Sequence, residues 1–151
     1  MGPYLRLLQF LAPVLDRVRR RGTAVGRRSI RHWLFGADDA DPDDVRLVQG
    51  LLEETPLTVS IAFWSTFLEH DESAALPVLR RVPVTVVAAT DDRLTPAAHG
   101  RLIAETIGPG CELVVVPGAG HSVNLTRTAV VDEALLALLD RVGRDDARRA
   151  G

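Results

Sequence analysis

Two short apolar runs rich in β-branched residues limit what this chain can fold into. They cover 82–88 and 113–116, and between them lies a helical pattern that Thr95 is expected to cap, that opens at Pro96 and that reaches Ile107. Continuous apolar runs of this length are typical of strands buried on both faces of a parallel sheet. Two such strands joined by a helix form one right-handed crossover, whereas a sheet usually contains about four to six strands. The sequence therefore predicts an α/β fold with an incomplete parallel sheet, whose remaining cover comes from elsewhere.

The first helix of the chain is predicted between Leu5 and Val18. Its leucines and valine recur at spacings of three and four, which indicates one apolar face, and Pro13 could bend or split it. The stretch is too short and too charged to span a bilayer, and its arginine cluster follows the apolar run instead of preceding it as in a secretory signal. We therefore expect no targeting segment and no membrane insertion, although a basic amphipathic helix resting on a membrane surface stays open.

Two further helices are predicted where proline follows a capping residue. Asp41-Pro42 combines an acidic cap with proline at the first helical position, and the helix that it starts is expected to run to about Glu54. Thr55-Pro56 repeats the signal for the next helix. The half of the chain before the first strand is therefore predicted to be helical, and the half after it alternates strand, helix, strand and a closing amphipathic helix over 129–142.

Composition excludes some classes of function and places the chain in a broad setting. All 18 basic residues are arginine, which suggests a GC-rich genome and a bacterial source, and the formal net charge of -2 gives no reason to expect a nucleic-acid partner. Cys111 is the only cysteine, so no disulfide can form within the chain, and a reducing cytoplasm fits. We expect Cys111 to be a small buried thiol, and no Cys/His cluster has zinc spacing.

Polar residues with chemical potential follow directly after each of the two strands. The first cluster covers 90–96 and contains Asp91 and Asp92, and the second covers 118–122 and contains His121. In an open parallel sheet, functional groups gather at the carboxyl ends of the strands. A carboxylate there could hydrogen-bond the imidazole and fix its tautomer, which leaves the other ring nitrogen free as a general base. Either aspartate could fill this position.

The two clusters together resemble the C-terminal end of an α/β-hydrolase. In that family a strand leads into Gly-x-x-Asp-x-x-x-Pro, and after a helix the next strand ends in Val-Pro-Gly-x-Gly-His; here 89–96 reads Ala-Thr-Asp-Asp-Arg-Leu-Thr-Pro and 116–121 reads Val-Pro-Gly-Ala-Gly-His. The resemblance implies that Asp92 is the acid and His121 the base of a catalytic triad, with Asp91 as the competitor for the acid role. The order of acid before histidine agrees with the family. Ala89 replaces the usual glycine. Before the last helix, 126–128 reads Thr-Arg-Thr where the family often has Glu-x-Pro, and Thr128 can cap that helix instead.

The resemblance also divides the chain and shows what it lacks. It implies a helical cap over 1–76, the C-terminal part of the hydrolase core over 77–143, and a charged tail over 144–151. The family needs a nucleophile elbow of the form Gly-x-Ser-x-Gly, and no such pentapeptide occurs in the 151 residues. The first strands of the fold are absent as well. The expected partner is therefore a missing N-terminal hydrolase half or a second chain that supplies it, and the chain alone is expected to be inactive.

Several other residues could carry function but have simpler explanations. Serines at 60, 65 and 122 lack an elbow, and the histidines at 32, 70 and 99 share no metal geometry, so we interpret them as helix, surface or helix-end residues. The aspartates between 38 and 44 lack the spacing of a calcium loop. Phe63, Trp64 and Phe67 could line a substrate pocket under the cap, and plain helix packing explains them equally well.

Two hypotheses from different classes follow. In the first, the chain is half of a hydrolase for a small hydrophobic ester-like or other acyl substrate, which uses a nucleophile–His–Asp triad without metal or organic cofactor. The resemblance leaves serine or aspartate as the nucleophile. In the second, the chain is a truncated, non-catalytic hydrolase-like protein that acts as a pairing or binding module through an exposed strand edge.

Overall fold

A computed structural model describes residues 3–19, 24–36 and 40–150. In chain order, the described helices and strands are α1 (Pro3–Arg19), α2 (Ala24–Ile30), a π-helix (Arg31–Phe35), α3 (Pro42–Glu54), α4 (Leu57–Glu69), a 3-10 helix (Ser73–Arg81), β1 (Val84–Ala89), α5 (Ala97–Ile107), β2 (Cys111–Val116), α6 (Val123–Thr126) and α7 (Thr128–Ala150). They form two compact units: the described residues of 1–31 with those of 41–71, and the described residues of 32–40 with those of 72–151. None of the described helices is both long and apolar enough to cross a membrane.

The first unit is helical, and its main contact is between α1 and α4. Ala12 of α1 and Ile61 of α4 are buried, while Leu11, Leu15 and Val18 stay 39–52% exposed. The predicted helix is confirmed and continues through Pro13. The part of the predicted apolar face that carries Leu11, Leu15 and Val18 is therefore exposed, and the side of α1 turned inward includes Ala12.

Helix starts in this unit follow the predicted positions, although not always by the predicted means. Asp41 caps α3 as expected, since its Oδ1 accepts a hydrogen bond from the Asp43 N–H at 2.7 Å. At the start of α4 the expected cap is wrong: the Thr55 hydroxyl donates back to the Leu51 carbonyl at 3.2 Å. The Leu57 N–H instead donates to the carboxylate of Asp16 on α1 at 2.9 Å, so a distant residue satisfies the first turn of α4.

The second unit is built on the predicted crossover. β1 and β2 pair in parallel, from Val84 opposite Cys111 to Ala89 opposite Val116. Side chains alternate between the two faces of a strand. Val86 and Ala88 face α5, where Gly100 permits so close an approach that a Cβ added to it would lie 2.7 Å from the Ala88 Cβ. The opposite face of β1 meets α7.

The sheet described here has only two strands, which confirms the α/β class with an incomplete sheet. Burial is concentrated at the carboxyl ends of the strands, in Ala88, Ala89 and Val116, whereas residues 84–87 and 113–115 are half-buried. The incomplete cover of β1 agrees with the prediction that part of its cover is missing from the described chain. Since no other described strand lies beside β1 or β2, the start of each strand stays partly open.

The closing helix is longer and less covered than predicted. The prediction is a helix over 129–142, whereas α7 spans Thr128–Ala150, so the backbone of 144–150, the described part of the charged tail, is helical as well. The Thr128 hydroxyl donates to the carbonyls of Asn124 and Leu125 at 3.0 and 3.1 Å, so the expected use of Thr128 as a helix cap is wrong. Three leucines on α7 are more than half exposed: Leu135, Leu136 and Leu139.

Candidate active site

The loops that follow β1 and β2 are bonded to each other beyond the ends of the strands. The Thr90 N–H donates to the Val116 carbonyl at 3.0 Å, and the Asp91 N–H donates to the Ala119 carbonyl at 2.9 Å. The Thr90 hydroxyl in turn accepts a hydrogen bond from the Gly118 N–H at 2.8 Å. These bonds extend the ladder past both strands, so the two polar clusters meet at one edge of the sheet.

Asp92 lies at this edge with its carboxylate almost fully engaged. Its Oδ1 accepts hydrogen bonds from the backbone N–H groups of Leu94 and Thr95, both at 2.8 Å. Its Oδ2 accepts the Thr95 hydroxyl at 2.7 Å and lies 3.0 Å from the His121 Nδ1. Burial acts to raise the pKa of Asp92, but the hydrogen bonds from Thr95, His121 and the Leu94 N–H outweigh it and hold the pKa below its ordinary value. Asp92 is therefore a carboxylate at neutral pH.

His121 presents one edge of its ring to Asp92 and keeps access to solvent. Its side chain is 39% exposed, whereas that of Asp92 is 9% exposed. A carboxylate beside Nδ1 favours the tautomer with the proton on Nδ1, and the lone pair is then on Nε2. Because the Thr95 hydroxyl gives its proton to Asp92, its oxygen, 3.2 Å from Nδ1, can only accept from the ring. The ring is thus held on one side and available for proton transfer on the other.

The geometry also separates the two candidate aspartates. Asp91 accepts a hydrogen bond from the Thr90 hydroxyl at 2.9 Å, while its neighbour Asp92 contacts the imidazole. Sequence reasoning missed Thr95, which was predicted as the cap of α5; the residue at the cap position is Pro96, which makes no side-chain cap bond. The local signal was present, because an aspartate side chain often accepts a hydrogen bond from the backbone two residues on and so turns the chain in this way.

A second missed contact joins the acid loop to a distant segment. The Arg93 Nη1 donates to the His32 carbonyl at 2.7 Å and lies 2.9 Å from the His32 Nδ1. His32 was interpreted as a surface residue, and it is exposed. No local pattern relates residues 61 positions apart, so the sequence carried no signal for this bond.

The three aromatic residues proposed to line a substrate pocket belong to the first unit. Phe63, Trp64 and Phe67 on α4 are 59%, 59% and 67% exposed. The rings of Phe63 and Phe67 lie 6.4 Å apart, centroid to centroid. Trp64 lines an apolar cavity of about 340 Å³ between α1 and α4; the other lining residues are Tyr4, Leu8, Leu57, Ser60 and Ile61. Among the described residues, no three His, Cys, Asp or Glu side chains come together as possible metal ligands.

Comparisons with known proteins agree with the resemblance in the sequence. A profile of the alpha/beta hydrolase family matches residues 1–134. The chain belongs to this family. In the solved structures, an esterase from Thermogutta terrifontis with malate bound superposes with a TM-score of 0.66 at 23% identity, and a thermophilic esterase superposes with a TM-score of 0.62 at 23% identity. At this level of identity the likeness shows the fold.

This hydrolase chain spans only part of the proteins that it matches. It is covered to 94% and 88% by the two esterases but spans 52% and 50% of their lengths. Among curated proteins, the polyketide synthase ThaQ of Burkholderia thailandensis is 36% identical over 85 residues, which are 56% of this chain and 4% of the synthase. The matched portion of the fold is therefore about half of a complete esterase.

Proposed function

We propose that this chain supplies the acid and the base of a hydrolase triad, Asp92 and His121, for a small hydrophobic substrate with an ester-like or other acyl group. The observation that carries the proposal is the 3.0 Å separation between Asp92 Oδ2 and His121 Nδ1, with a partly exposed ring beyond it. A carboxylic ester is the favoured substrate class. The proposed setting is the cytoplasm of a bacterium.

In the proposed mechanism, the nucleophile comes from outside these 151 residues, either from a preceding hydrolase half or from a partner chain. His121 Nε2 takes the proton of a serine hydroxyl as the serine attacks the acyl carbon, and then gives that proton to the leaving group. In the second half of the turnover, His121 takes a proton from a water molecule as the water attacks the acyl-enzyme. His121 then returns that proton to the serine oxygen as the acid product leaves. The Asp92 carboxylate stabilises the imidazolium that forms in each step. An aspartate nucleophile would instead attack the alkyl carbon of an epoxide or haloalkane, opening the ring or displacing halide to form a covalent ester, which water activated by His121 then hydrolyses.

The helical part of the chain has a proposed role in selecting the substrate. We assign residues 1–76 to a cap and 77–143 to the core, with Phe63, Trp64 and Phe67 as candidates for apolar substrate contacts. Their exposure supports this role, since large aromatic side chains on a surface often mark a binding surface. The chain alone is expected to be inactive, because no Gly-x-Ser-x-Gly occurs in it.

A non-catalytic pairing module is the second candidate. The half-open sheet and the exposed leucines of α7 favour it, because a face of this kind invites association with another chain. A triad is not needed for such a role. Under this alternative, changing His121 would leave association with the partner unaltered.

The decisive experiment starts from the native product isolated from the source cells. Its intact mass establishes whether a nucleophile-bearing segment accompanies these residues in one chain, and its co-purifying proteins establish whether a partner supplies it. In the complete protein or complex so defined, hydrolysis of p-nitrophenyl esters of increasing acyl length is then compared among wild type, His121→Ala and Asp92→Asn, with His99→Ala as the matched control on α5. We expect the first two variants to lose about 10⁴-fold in kcat and the control to lose nothing. Equal activity in all four proteins would refute the triad and leave the pairing role.

A further inference from the structure

A five-residue segment, His32–Gly36, contacts both loops that carry the proposed acid and base. Arg93, the residue after Asp92, donates to the His32 carbonyl at 2.7 Å. Ser122, the residue after His121, donates its backbone N–H to the Leu34 carbonyl at 2.7 Å. The same short segment is therefore bonded on both sides of the acid–base pair. We refer to His32–Gly36 as the brace.

The brace also packs against the residue that precedes His121. A Cβ added to Gly120 would lie 2.3 Å from the carbonyl carbon of Phe35 and 2.4 Å from the N of Gly36. Both are backbone atoms, which cannot rotate away as the end of a side chain could. Phe35 itself is only 4% exposed, so the brace is anchored in the second unit. The backbones of the brace and of the histidine loop are thus in direct contact.

Space, and not backbone conformation, requires glycine at position 120. The described glycines with positive φ are Gly36, Gly108 and Gly118, and Gly120 is not among them. Gly118 provides the contrast within the same loop: its φ is +68°, yet a Cβ there would meet nothing within 4 Å. Gly118 is needed for the turn, whereas Gly120 is needed because the brace lies against it.

We propose that the brace sets the separation between Asp92 and His121, with Arg93 and Gly120 as the positioning residues through which it acts. The inference rests on the proposed function, since it concerns the same pair of side chains. The bonds to Arg93 and Ser122 fix the acid loop and the histidine loop to one common support. Loss of either contact leaves the two loops held only by the bonds of Thr90 and Asp91, so the separation of Asp92 and His121 can increase, and a hydrogen bond of 3.0 Å weakens quickly with distance.

The test reads the His121 tautomer in the chain as it stands. In wild type the Asp92 carboxylate should keep the neutral ring protonated on Nδ1, and ¹⁵N chemical shifts of the ring in alkaline buffer report this directly. The variants are Arg93→Met and Gly120→Ala, with Arg101→Met on α5 as the matched arginine control and Asp92→Asn as the reference for a lost carboxylate. Hydrogen exchange of the Ser122 amide is measured in the same samples.

We expect Arg93→Met and Gly120→Ala to shift the ring toward the mixed tautomers of Asp92→Asn, and the Ser122 amide to exchange about tenfold faster. The control should keep the wild-type signals. If Asp92→Asn changes the tautomer while both brace variants leave it alone, the brace is refuted and the triad assignment stands. If Asp92→Asn itself changes nothing, the proposed acid–base pair fails first. Should Gly120→Ala unfold the chain, Arg93→Met decides the outcome alone.

Discussion

Replacing Thr95 by valine tests whether the Asp92 carboxylate is as strongly held as the structure indicates. Valine has the shape of threonine but lacks the hydroxyl that donates to Asp92 Oδ2 at 2.7 Å. A hydrogen bond to a charged group contributes about 1.5–3 kcal/mol. Thr95 is exposed, so we take the lower end and expect Thr95→Val to reduce the free energy of unfolding by about 1.5 kcal/mol at neutral pH. Thr95→Ser keeps the donor and should lose far less.

The pH dependence of this effect has a definite sign. Burial opposes ionisation of Asp92, yet its hydrogen bonds hold the folded-state pKa below the unfolded value. The contribution of Asp92 to stability is therefore complete above the unfolded pKa and is lost as pH falls through the folded pKa. As pH is lowered, the difference in free energy of unfolding between wild type and Thr95→Val should therefore decrease, toward about 0.5 kcal/mol once the Asp92 carboxyl is protonated.

The assay is urea unfolding followed by circular dichroism at several pH values, with ¹³C titration of the Asp92 carboxyl in parallel. Thr95→Val should raise the pKa of Asp92, because it removes a donor to the charged form. Two results would overturn this reasoning: a loss of stability that is the same at every pH, or equal behaviour of the valine and serine variants. Either would mean that the hydroxyl does not stabilise the carboxylate.

Three further predictions concern single positions elsewhere. Gly100→Ala should reduce the free energy of unfolding by about 1–3 kcal/mol in the same urea experiment, because the new methyl would meet Ala88. Its control, Gly143→Ala on the exposed side of α7, should raise the free energy of unfolding by about 0.5–1 kcal/mol, because the added carbon meets nothing. Asp41→Ala should reduce it by about 1 kcal/mol through loss of the α3 cap, and Asp41→Asn should restore most of that; equal losses in both would argue against capping. Burial raises the pKa of the Cys111 thiol, so alkylation by iodoacetamide at neutral pH should be slower in the folded chain than in urea, and equal rates would contradict this.

The parts of the fold that follow from local pattern could be predicted, and those that depend on distant contacts could not. The β-branched runs gave strands that the structure places at Val84–Ala89 and Cys111–Val116, and the polar clusters after them do meet at one sheet edge. Three expected threonine caps failed for a common reason. The hydroxyls at 55 and 128 donate to nearby carbonyls, and the one at 95 donates to Asp92. Threonine is both donor and acceptor, so its sequence position alone does not say which role it takes.

The buried side of α1 shows a second limit. Leucine periodicity marks an apolar stripe, but which part of a wide stripe is buried depends on the helix packed against it. Asp16 illustrates this, because its partner is the Leu57 N–H, 41 positions away. The two residues of the contact between Arg93 and His32 are even further apart in sequence, by 61 positions. The acid and the histidine could be predicted from the sequence because each follows a strand. The segment that supports them could not be predicted, because its contacts are with residues distant in sequence.

The separations along the chain also predict the order in which the site becomes ordered. Asp92 and His121 are 29 positions apart, with α5 and β2 between them, while the contact from Arg93 to His32 closes a loop of 61 positions. Doubling a loop adds only about 0.6 kcal/mol to the entropy of closure, yet contacts close in sequence form earlier as a rule. We therefore expect the acid and the histidine to meet first during folding and the brace to dock afterwards. The moment at which the site becomes rigid would then depend on residues 32–36, a segment that contains neither of the two groups it serves.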